Sequence, residues 1–418
     1  MKNNLLGNLA KISLVIFSFL LLYYFVPGAT TKVWEGDSIA YHIPISQMIL
    51  SGKIFNPANA VFPPVVGRYV IYSPGASEII LSIFGLLHIP LNLFDLFGII
   101  FLFFVMRALA RSYDFSENYS IIFATSVACL HTVMRWILSQ TIDMWLASFL
   151  ALSIILLRNP RKNWRYFVSL GVALGMFFGT KYSAPIFTIF LLAIFGKQIL
   201  KILNLQRLIT FLVPFSVLGL SWYVRNYILT GDPYYPKSIP FFNGVPGWNM
   251  MEYPVWSVIF KWSGGFFVWI NAFISEYTVW CLAFLAVPVL YFLTFKQMNV
   301  TLRQNIIKLI LLAYPCFFVY LFFPSGFYPN LVTSGFRYTY PAMIPLILCL
   351  FIYARKYAKE EILAIIAVTN MLIMPELSYH PKILIALIPI ALVIFYPSKI
   401  EKLYQFIKKY YSHKSLQF

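Results

Sequence analysis

The sequence has 418 residues, of which 60% are hydrophobic and only 11% are charged, and its mean hydropathy is +0.77. Apolar runs recur from end to end, so we predict an all-α polytopic membrane protein. No separate soluble domain fits between the runs, and 1–418 is treated as a single transmembrane domain. The net charge of +18 does not imply a nucleic-acid partner, because the basic residues are dispersed over many short loops.

The apolar runs predict about twelve transmembrane helices at the length a lipid bilayer demands. The first is expected to be a retained helix rather than a removed signal peptide, because no convincing small-residue cleavage site follows it. The four cysteines fall inside apolar runs without CxxC spacing, which indicates buried hydrophobic side chains rather than a disulfide or metal framework. In chain order, the predicted spans cover roughly 10–29, 91–111, 119–137, 143–158, 165–180, 182–197, 207–224, 274–295, 306–323, 338–354, 361–375 and 382–397.

Lysine and arginine are concentrated in alternate loops, which the positive-inside rule places in the cytoplasm. Both termini are then cytoplasmic, and two long loops, about 30–90 and about 225–273, are extracytoplasmic. Most acidic residues fall on that outer side, so function is expected there. Abundant Ile, Lys, Asn and Phe suggest a bacterial protein, which would place it in the inner (plasma) membrane.

The first outer loop is predicted to contain two helices parallel to the membrane plane. Apolar residues from Ser38 to Leu50 recur at helical spacing, with Pro44 interrupting, and Ala76 to His88 is apolar enough to lie in the interface. The turn FPPVVGRYVIYSPG would join them. In the second outer loop, PYYPKSIPFFNGVPGWNMMEYP is either a membrane-surface loop held by aromatic residues or part of a sugar or acceptor pocket.

The stretch WEGDSIAYHIP places an acidic pair and a histidine directly after the first span. Asp37 has two interpretations: it caps the helix that begins at Ser38 or Ile39, or it takes a proton from a hydroxyl. His42 either orients the acceptor and supports Asp37, or is an amphipathic packing residue.

Four further ionisable residues interrupt apolar sequence at the predicted outer boundary: Asp143, Lys181, Arg225 and Arg337. Each one alone is more often an interfacial anchor that snorkels to water. Taken together they suit a lipid-linked phosphate, because cations neutralise the phosphate while a carboxylate activates an acceptor. No role is assigned to Glu78, Glu252 or Glu276.

These features occur in a recognisable order along about the first 345 residues. WEGDSIAYHIP follows the first span and YSPG precedes the second amphipathic segment; Asp143, GTKY at 179–182, SWYVRN at 221–226 and RYTYPAMIP at 337–345 come next. In this order the chain resembles the C-type membrane glycosyltransferases, especially the branch with the protein O-mannosyltransferases and the bacterial aminoarabinose transferase. That family is multispanning, uses a polyprenyl-phosphate sugar as donor and acts on the extracytoplasmic side.

The resemblance implies a glycosyltransferase that moves the sugar to a lipid, glycan or protein acceptor by a single inverting displacement. Asp37 would be the base, Asp143 a second acid, and Lys181, Arg337 and, by position, Arg225 would bind the donor phosphate.

One position departs from the family pattern. Many relatives carry Asp-Glu in the first loop, whereas here Ser38 follows Asp37, which leaves open whether Glu35 substitutes.

The implied chemistry requires no cofactor. A divalent metal is compatible with it, since some distant relatives use one, but the sequence shows no tight ligand cluster. Two other functions stay open: a cell-envelope polysaccharide polymerase or ligase, and a lipid-linked sugar flippase or transporter. The first would need its main basic loop late in the chain, and the second usually shows internal repeats and polar residues at mid-membrane depth.

Overall fold

Helices account for about four fifths of the chain that the structure describes. The computed structural model describes residues 2–55, 71–237, 241–245, 254–322 and 335–373, and no β-strand occurs in these ranges. Short π-helical or 3-10 segments are Ser38–His42, Lys53–Phe55, Leu91–Leu93, Ser216–Leu220, Thr278–Leu282, Phe295–Gln297 and Phe336–Thr339. The α-helices are Lys2–Thr30, Ile43–Leu50, Ala76–Leu86, Phe94–Ser112, Glu117–Ala128, His131–Met134, Asp143–Arg158, Trp164–Phe178, Ala184–Phe195, Lys197–Leu200, Leu205–Phe215, Ser221–Thr230, Val255–Lys261, Gly265–Tyr277, Ala283–Thr294, Val300–Tyr320, Tyr340–Lys356 and Glu360–Leu372.

Six helical stretches among the described residues are long and apolar enough to cross a bilayer: Leu5–Thr30, Leu91–Ser112, Leu205–Thr230, Gly265–Gln297, Val300–Tyr320 and Phe336–Lys356. An apolar chain takes this form because a helix satisfies its backbone polar groups internally. The protein is therefore an all-α polytopic membrane protein, as the composition predicts. The number of about twelve spans stays a prediction, and the last one, 382–397, lies outside the described residues.

The helix Phe336–Lys356 lies at the centre of the bundle. In its most apolar stretch 89% of the residues are buried, against 17% in Leu205–Thr230 and in Gly265–Gln297. It packs against Val300–Tyr320 and contacts Asp143–Arg158. The central helix thus brings its first residues to the start of Asp143–Arg158, while the outer helices keep apolar faces suited to lipid.

The predicted span 119–137 is not one helix. Its first part is the helix Glu117–Ala128, and after the extended residue Leu130 only the single turn His131–Met134 follows. The polar residues after this break then bond to other helices, as Arg135 does to Glu276. In a continuous transmembrane helix the charged Arg135 side chain would face lipid, and exposing a charge to lipid costs free energy.

The two helices predicted in the first loop are present. The π-helical turn Ser38–His42 runs directly into Ile43–Leu50, and this unit packs against Ala76–Leu86. Pro44 does not break the helix. It follows the π-helical turn Ser38–His42, and such a local π-helical adjustment accommodates a proline that lacks an N–H. Most of the proline-rich connection lies outside the described residues, and the orientation of both helices to a membrane stays a prediction.

Three glycines four residues apart let two helices approach closely. A Cβ at Gly171 would lie 2.4 Å from the carbonyl oxygen of Phe211, and one at Gly179 would lie 2.3 Å from that of Leu218. Between them, Gly175 faces Phe215 at 3.0 Å. Small residues at this spacing are a common means of close helix packing in membranes. This contact fixes the end of Trp164–Phe178, three residues before Lys181.

We expect Gly171→Ala to destabilise the protein, because its methyl group would meet a backbone carbonyl that cannot rotate away. Such overpacking costs roughly 1–3 kcal/mol. Thermal unfolding of the detergent-solubilised protein measures the effect. Gly85→Ala is the matched control, because its Cβ would meet only a flexible Leu50 side chain at 3.4 Å. Equal melting temperatures for the two variants would contradict the prediction.

Candidate functional site

Four charged side chains from distant parts of the chain meet at one end of the helices. Nη2 of Arg337 donates to Oδ2 of Asp37 over 2.5 Å, and Nε of Arg337 lies 3.6 Å from Oδ2 of Asp143. Nζ of Lys181 donates to Oδ1 of Asp143. These four residues, called the charge cluster below, alternate in sign as Asp37, Arg337, Asp143 and Lys181.

The members of the charge cluster differ in exposure. Asp143 is 1% exposed, the side chains of Arg337 and Lys181 are 8% and 13% exposed, and that of Asp37 is 39% exposed. Asp37 is therefore the carboxylate that an incoming molecule can reach, while Asp143 sits behind it and holds both cations.

Glu35, and not Asp37, caps the first-loop helix. The carboxylate of Glu35 accepts hydrogen bonds from the backbone N–H of Asp37 at 3.0 Å, and from N–H and Oγ of Ser38 at 2.6 Å each. Asp37 itself has helical backbone angles and makes no side-chain cap bond. The interpretation of Asp37 as a cap is therefore wrong. Because Glu35 satisfies the free amides, the Asp37 carboxylate is left to pair with Arg337.

The electrostatics of Asp37 favour its ionised form. Burial alone would raise the pKa of Asp37, but the charge and hydrogen bond of Arg337, with smaller contributions from His42 and Lys181, lower it below its usual value. The net effect is a carboxylate that stays deprotonated well into the acid range.

Two aromatic rings bracket the cations. The Arg337 guanidinium lies 4.9 Å from the ring centre of Trp136, and Nζ of Lys181 lies 4.2 Å from that of Tyr338. Aromatic faces attract cations in this geometry and limit their orientations. Sequence reasoning missed both rings; the only available signal was the position of Tyr338 next to Arg337.

His42 pairs with Glu78, a residue without an assigned role. Its Nδ1 lies 2.7 Å from Oε1 of Glu78, and the two side chains are 1% and 0% exposed. The pair joins the start of the first-loop helix to Ala76–Leu86, and an acceptor-orienting role for His42 stays a proposal.

We expect His42→Leu to destabilise the protein strongly, because it leaves Glu78 buried without its partner. Breaking a buried pair in this way costs about 3–5 kcal/mol, whereas replacing both partners by apolar residues is often neutral. The double variant His42→Leu with Glu78→Leu should therefore melt higher than the single variant. A double variant that melts lower than the single one would show that Glu78 has another stabilising partner.

Arg225 does not join the charge cluster. Its Nη2 donates to the carbonyl oxygen of Tyr72 at 2.8 Å, and its Nε donates to Oδ1 of Asn226 at 3.0 Å. Asn226 also donates to Tyr72, so the two side chains clamp the segment before Ala76–Leu86. Arg225 also faces a cavity of about 250 Å³ between the first-loop helix and Leu205–Thr230, lined among others by Ile49, Ile54, Phe55, Val217 and Trp222.

The two other glutamates without an assigned role are Glu276 and Glu252. Glu276 pairs with Arg135 and is 1% exposed, while Glu252 lies outside the described residues. In the described ranges no three His, Cys, Asp or Glu side chains lie close enough together to hold a metal ion. Arg337 stands between Asp37 and Asp143, so the residues present do not fit a metal bridging these two carboxylates.

Solved structures show the same arrangement of helices. No protein-family model matches the sequence, and no curated protein matches it significantly. The crystal structure of ArnT from Cupriavidus metallidurans bound to undecaprenyl phosphate matches with a TM-score of 0.55 and 13% identity, over 83% of this chain and 61% of ArnT. The Archaeoglobus fulgidus oligosaccharyltransferase in complex with Zn and sulfate matches with a TM-score of 0.51 and 14% identity, over 91% of this chain and 52% of that enzyme.

The chain thus spans less than two thirds of the length of either solved protein. ArnT, an aminoarabinose transferase, and the oligosaccharyltransferase both have the C-type glycosyltransferase fold. The likeness extends over 83% and 91% of this chain, respectively. This chain therefore has the C-type fold of polytopic membrane glycosyltransferases.

Proposed function

We propose that the protein is a membrane glycosyltransferase that moves a sugar from a polyprenyl-phosphate donor to an acceptor, with the charge cluster as its active site. The observation that carries the proposal is the half-exposed carboxylate of Asp37 beside two cations, Arg337 and Lys181. An inverting sugar transfer needs one base for the acceptor and positive charge for the leaving phosphate, and the cluster offers both. The fold agrees with this chemistry, since ArnT has been crystallised with undecaprenyl phosphate.

In the proposed reaction the acceptor hydroxyl gives its proton to Asp37 as its oxygen attacks the anomeric carbon. The bond between that carbon and the phosphate oxygen breaks, and the lipid phosphate leaves with the bonding electron pair. Arg337 and Lys181 then stabilise the additional negative charge on the phosphate. No acid has to protonate the leaving group, because phosphate is already a good one, in contrast to glycoside hydrolysis.

Donor binding would also adjust the base. Without donor, the charges of the two carboxylates and the two cations cancel. Burial raises the pKa of Asp37, and Arg337 lowers this pKa to below its usual value. A phosphate that takes over part of the hydrogen bonding of Arg337 weakens this hold. The pKa of Asp37 then rises, and the carboxylate becomes a stronger base when the donor is in place.

The cavity beside Arg225 supports a lipid-linked donor. Its walls are mostly apolar, with Ile49, Phe55 and Val217 among them, and Arg225 is the one cation among the described residues that line it. An isoprenoid chain next to a phosphate has this combination of properties. Arg225 would serve the donor at this cavity rather than within the charge cluster.

We further propose that the site faces the extracytoplasmic side of a bacterial inner membrane, with both termini in the cytoplasm. The distribution of Lys and Arg supports this orientation. The acceptor would be a lipid, a glycan or a protein carrying a hydroxyl group.

The proposal is tested with purified wild-type protein in proteoliposomes loaded with radiolabelled undecaprenyl-phosphate sugars and a membrane extract as the source of acceptor. We expect the label to leave the donor and free undecaprenyl phosphate to accumulate. Donor that crosses the bilayer chemically unchanged would replace the proposal by a flippase. Labelled sugars joined to one another instead would identify a polymerase.

A further inference from the structure

A group of buried polar residues lies directly behind the charge cluster. Each of them is at most 1% exposed: Ser38, Asn92, Asp95, Ser139, Gln140 and Thr141. We call this group the polar hub. Burying a polar group costs free energy unless the group is hydrogen-bonded, so each polar group of the hub needs a hydrogen-bond partner.

Asp95 anchors the hub from the start of the second predicted span. Its Oδ2 accepts three hydrogen bonds: from Oγ of Ser139 at 2.8 Å, from N–H of Thr141 at 2.9 Å and from Oγ1 of Thr141 at 2.8 Å. All three donors belong to segment 139–141. One carboxylate oxygen therefore fixes both ends of this segment.

The same segment touches the loops that carry both acids of the charge cluster. Thr141 lies two residues before Asp143, the first residue of its helix. The N–H of Gln140 donates to Oγ of Ser38 at 3.0 Å, and that hydroxyl donates to Glu35. Through these contacts the segment is connected to the turn that presents Asp37.

The stability of the fold does not by itself explain why residue 95 is a carboxylate. Asp95 is 0% exposed and forms no ion pair with the described residues, and its Oδ1 has no hydrogen-bond partner among them. A carboxyl group without a counter-ion inside a membrane bundle is expensive even when it is hydrogen-bonded, and such groups are typically functional.

We propose that Asp95 is a positioning residue of the reaction: by holding segment 139–141, it sets the placement of Asp37 relative to Asp143. This inference rests on the proposed function, because the placement matters only if Asp37 is the base for a donor bound at the cluster. Asp95 touches neither substrate; it acts through the hub.

The test compares kcat and the donor KM of Asp95→Ala and Asp95→Asn in proteoliposomes, with protein amounts corrected for the folded fraction. We expect Asp95→Ala to lower kcat by about 10²-fold, the size of effect that a misplaced catalytic group produces, with the donor KM little changed. Asp95→Asn should recover most of kcat, because its amide oxygen can accept the same three bonds. Ser148→Ala is the control, since among the described residues that buried hydroxyl bonds only to Met144 of its own helix.

Two results would overturn the proposal. Wild-type kcat per folded Asp95→Ala molecule would mean that Asp95 serves stability alone. A folded Asp95→Asn variant as slow as Asp95→Ala would mean that its charge acts, and not its hydrogen bonds. Should Asp95→Ala not fold, Thr141→Val removes one of the three donors, and it should lower kcat in the same direction.

Amide hydrogen exchange separates this inference from the proposed function, because it needs no turnover. If the hub connects the two loops, Asp95→Ala accelerates exchange at 139–141 and also at 36–38, while Asp95→Asn does neither. Acceleration at 139–141 alone would contradict the link to Asp37, whether or not the wild type consumes donor.

Discussion

Asp37→Asn is expected to slow sugar transfer by about 10²–10⁴-fold while leaving the protein folded. The amide keeps the size of the side chain, and Glu35 still caps the helix, so the local fold does not depend on the carboxylate. The amide cannot accept the acceptor proton, however. General base catalysis contributes about 10²–10⁴-fold, and we expect a loss of kcat in this range with a smaller change in the donor KM.

The matched control is Asp114→Asn. Asp114 is an exposed residue in the turn after Phe94–Ser112, and its left-handed backbone conformation (φ 61°) suits asparagine equally well. The substitution therefore removes a carboxylate outside the charge cluster without straining the backbone. The variant should transfer sugar at the wild-type rate. If Asp37→Asn also keeps the wild-type rate, Asp37 is not the base, and Asp143 becomes the first candidate.

Arg337→Gln should produce the second large effect, in both rate and pH dependence. Arg337 contacts Asp37 and Asp143, and in the proposed reaction it stabilises the leaving phosphate. Removing one preorganised donor to a developing anion typically costs about 10²–10³-fold in kcat. The donor KM should rise as well, because Lys181 alone then faces the phosphate.

The pH profile gives a sharper test of the same variant. Burial raises the pKa of Asp37, and Arg337 more than reverses this shift in the wild type. Without Arg337 the pKa of Asp37 rises, so the acid limb of kcat should move to higher pH. By linkage, Asp37 stabilises the wild type above its unfolded pKa, and this contribution is lost as pH falls through the lowered folded pKa. The difference in melting temperature between wild type and variant should therefore shrink in acid.

Arg355→Gln is the control for this measurement. Arg355 lies at the other end of the same helix, is exposed, and donates to the carbonyl oxygen of Tyr113 at 2.8 Å. Its pH profile should match that of the wild type. An unmoved acid limb in Arg337→Gln, together with a normal rate, would contradict the role of Arg337 beside the base.

The class of the protein could be predicted from the sequence, because it depends on local properties. Composition and the length of apolar runs demand membrane helices, since only helices satisfy the backbone of each apolar segment within that segment. The two first-loop helices could be located for the same reason, from apolar spacing between Ser38 and Leu50. The break after Ala128 was missed, because it depends on partners such as Glu276 that lie far along the chain.

Candidate residues could also be selected from the sequence, because an ionisable side chain inside apolar sequence is conspicuous. Asp143, Lys181 and Arg337 are selected in this way, and Asp37 is selected by its position in the acidic stretch directly after the first span. The same rule also selected Arg225, which bonds backbone carbonyls of the first loop instead. An isolated charge in a sequence does not reveal what it will bond.

Only the tertiary structure decided which charges meet. Arg337 reaches Asp37 across 300 residues, and that contact depends on the burial of its helix at the centre of the bundle. Likewise, Glu35 rather than Asp37 caps the helix, which depends on the backbone angles of Asp37. The hydropathy of a segment determines whether it enters the bilayer. Helix packing, through contacts such as those of Gly171, determines which partner each charged side chain meets.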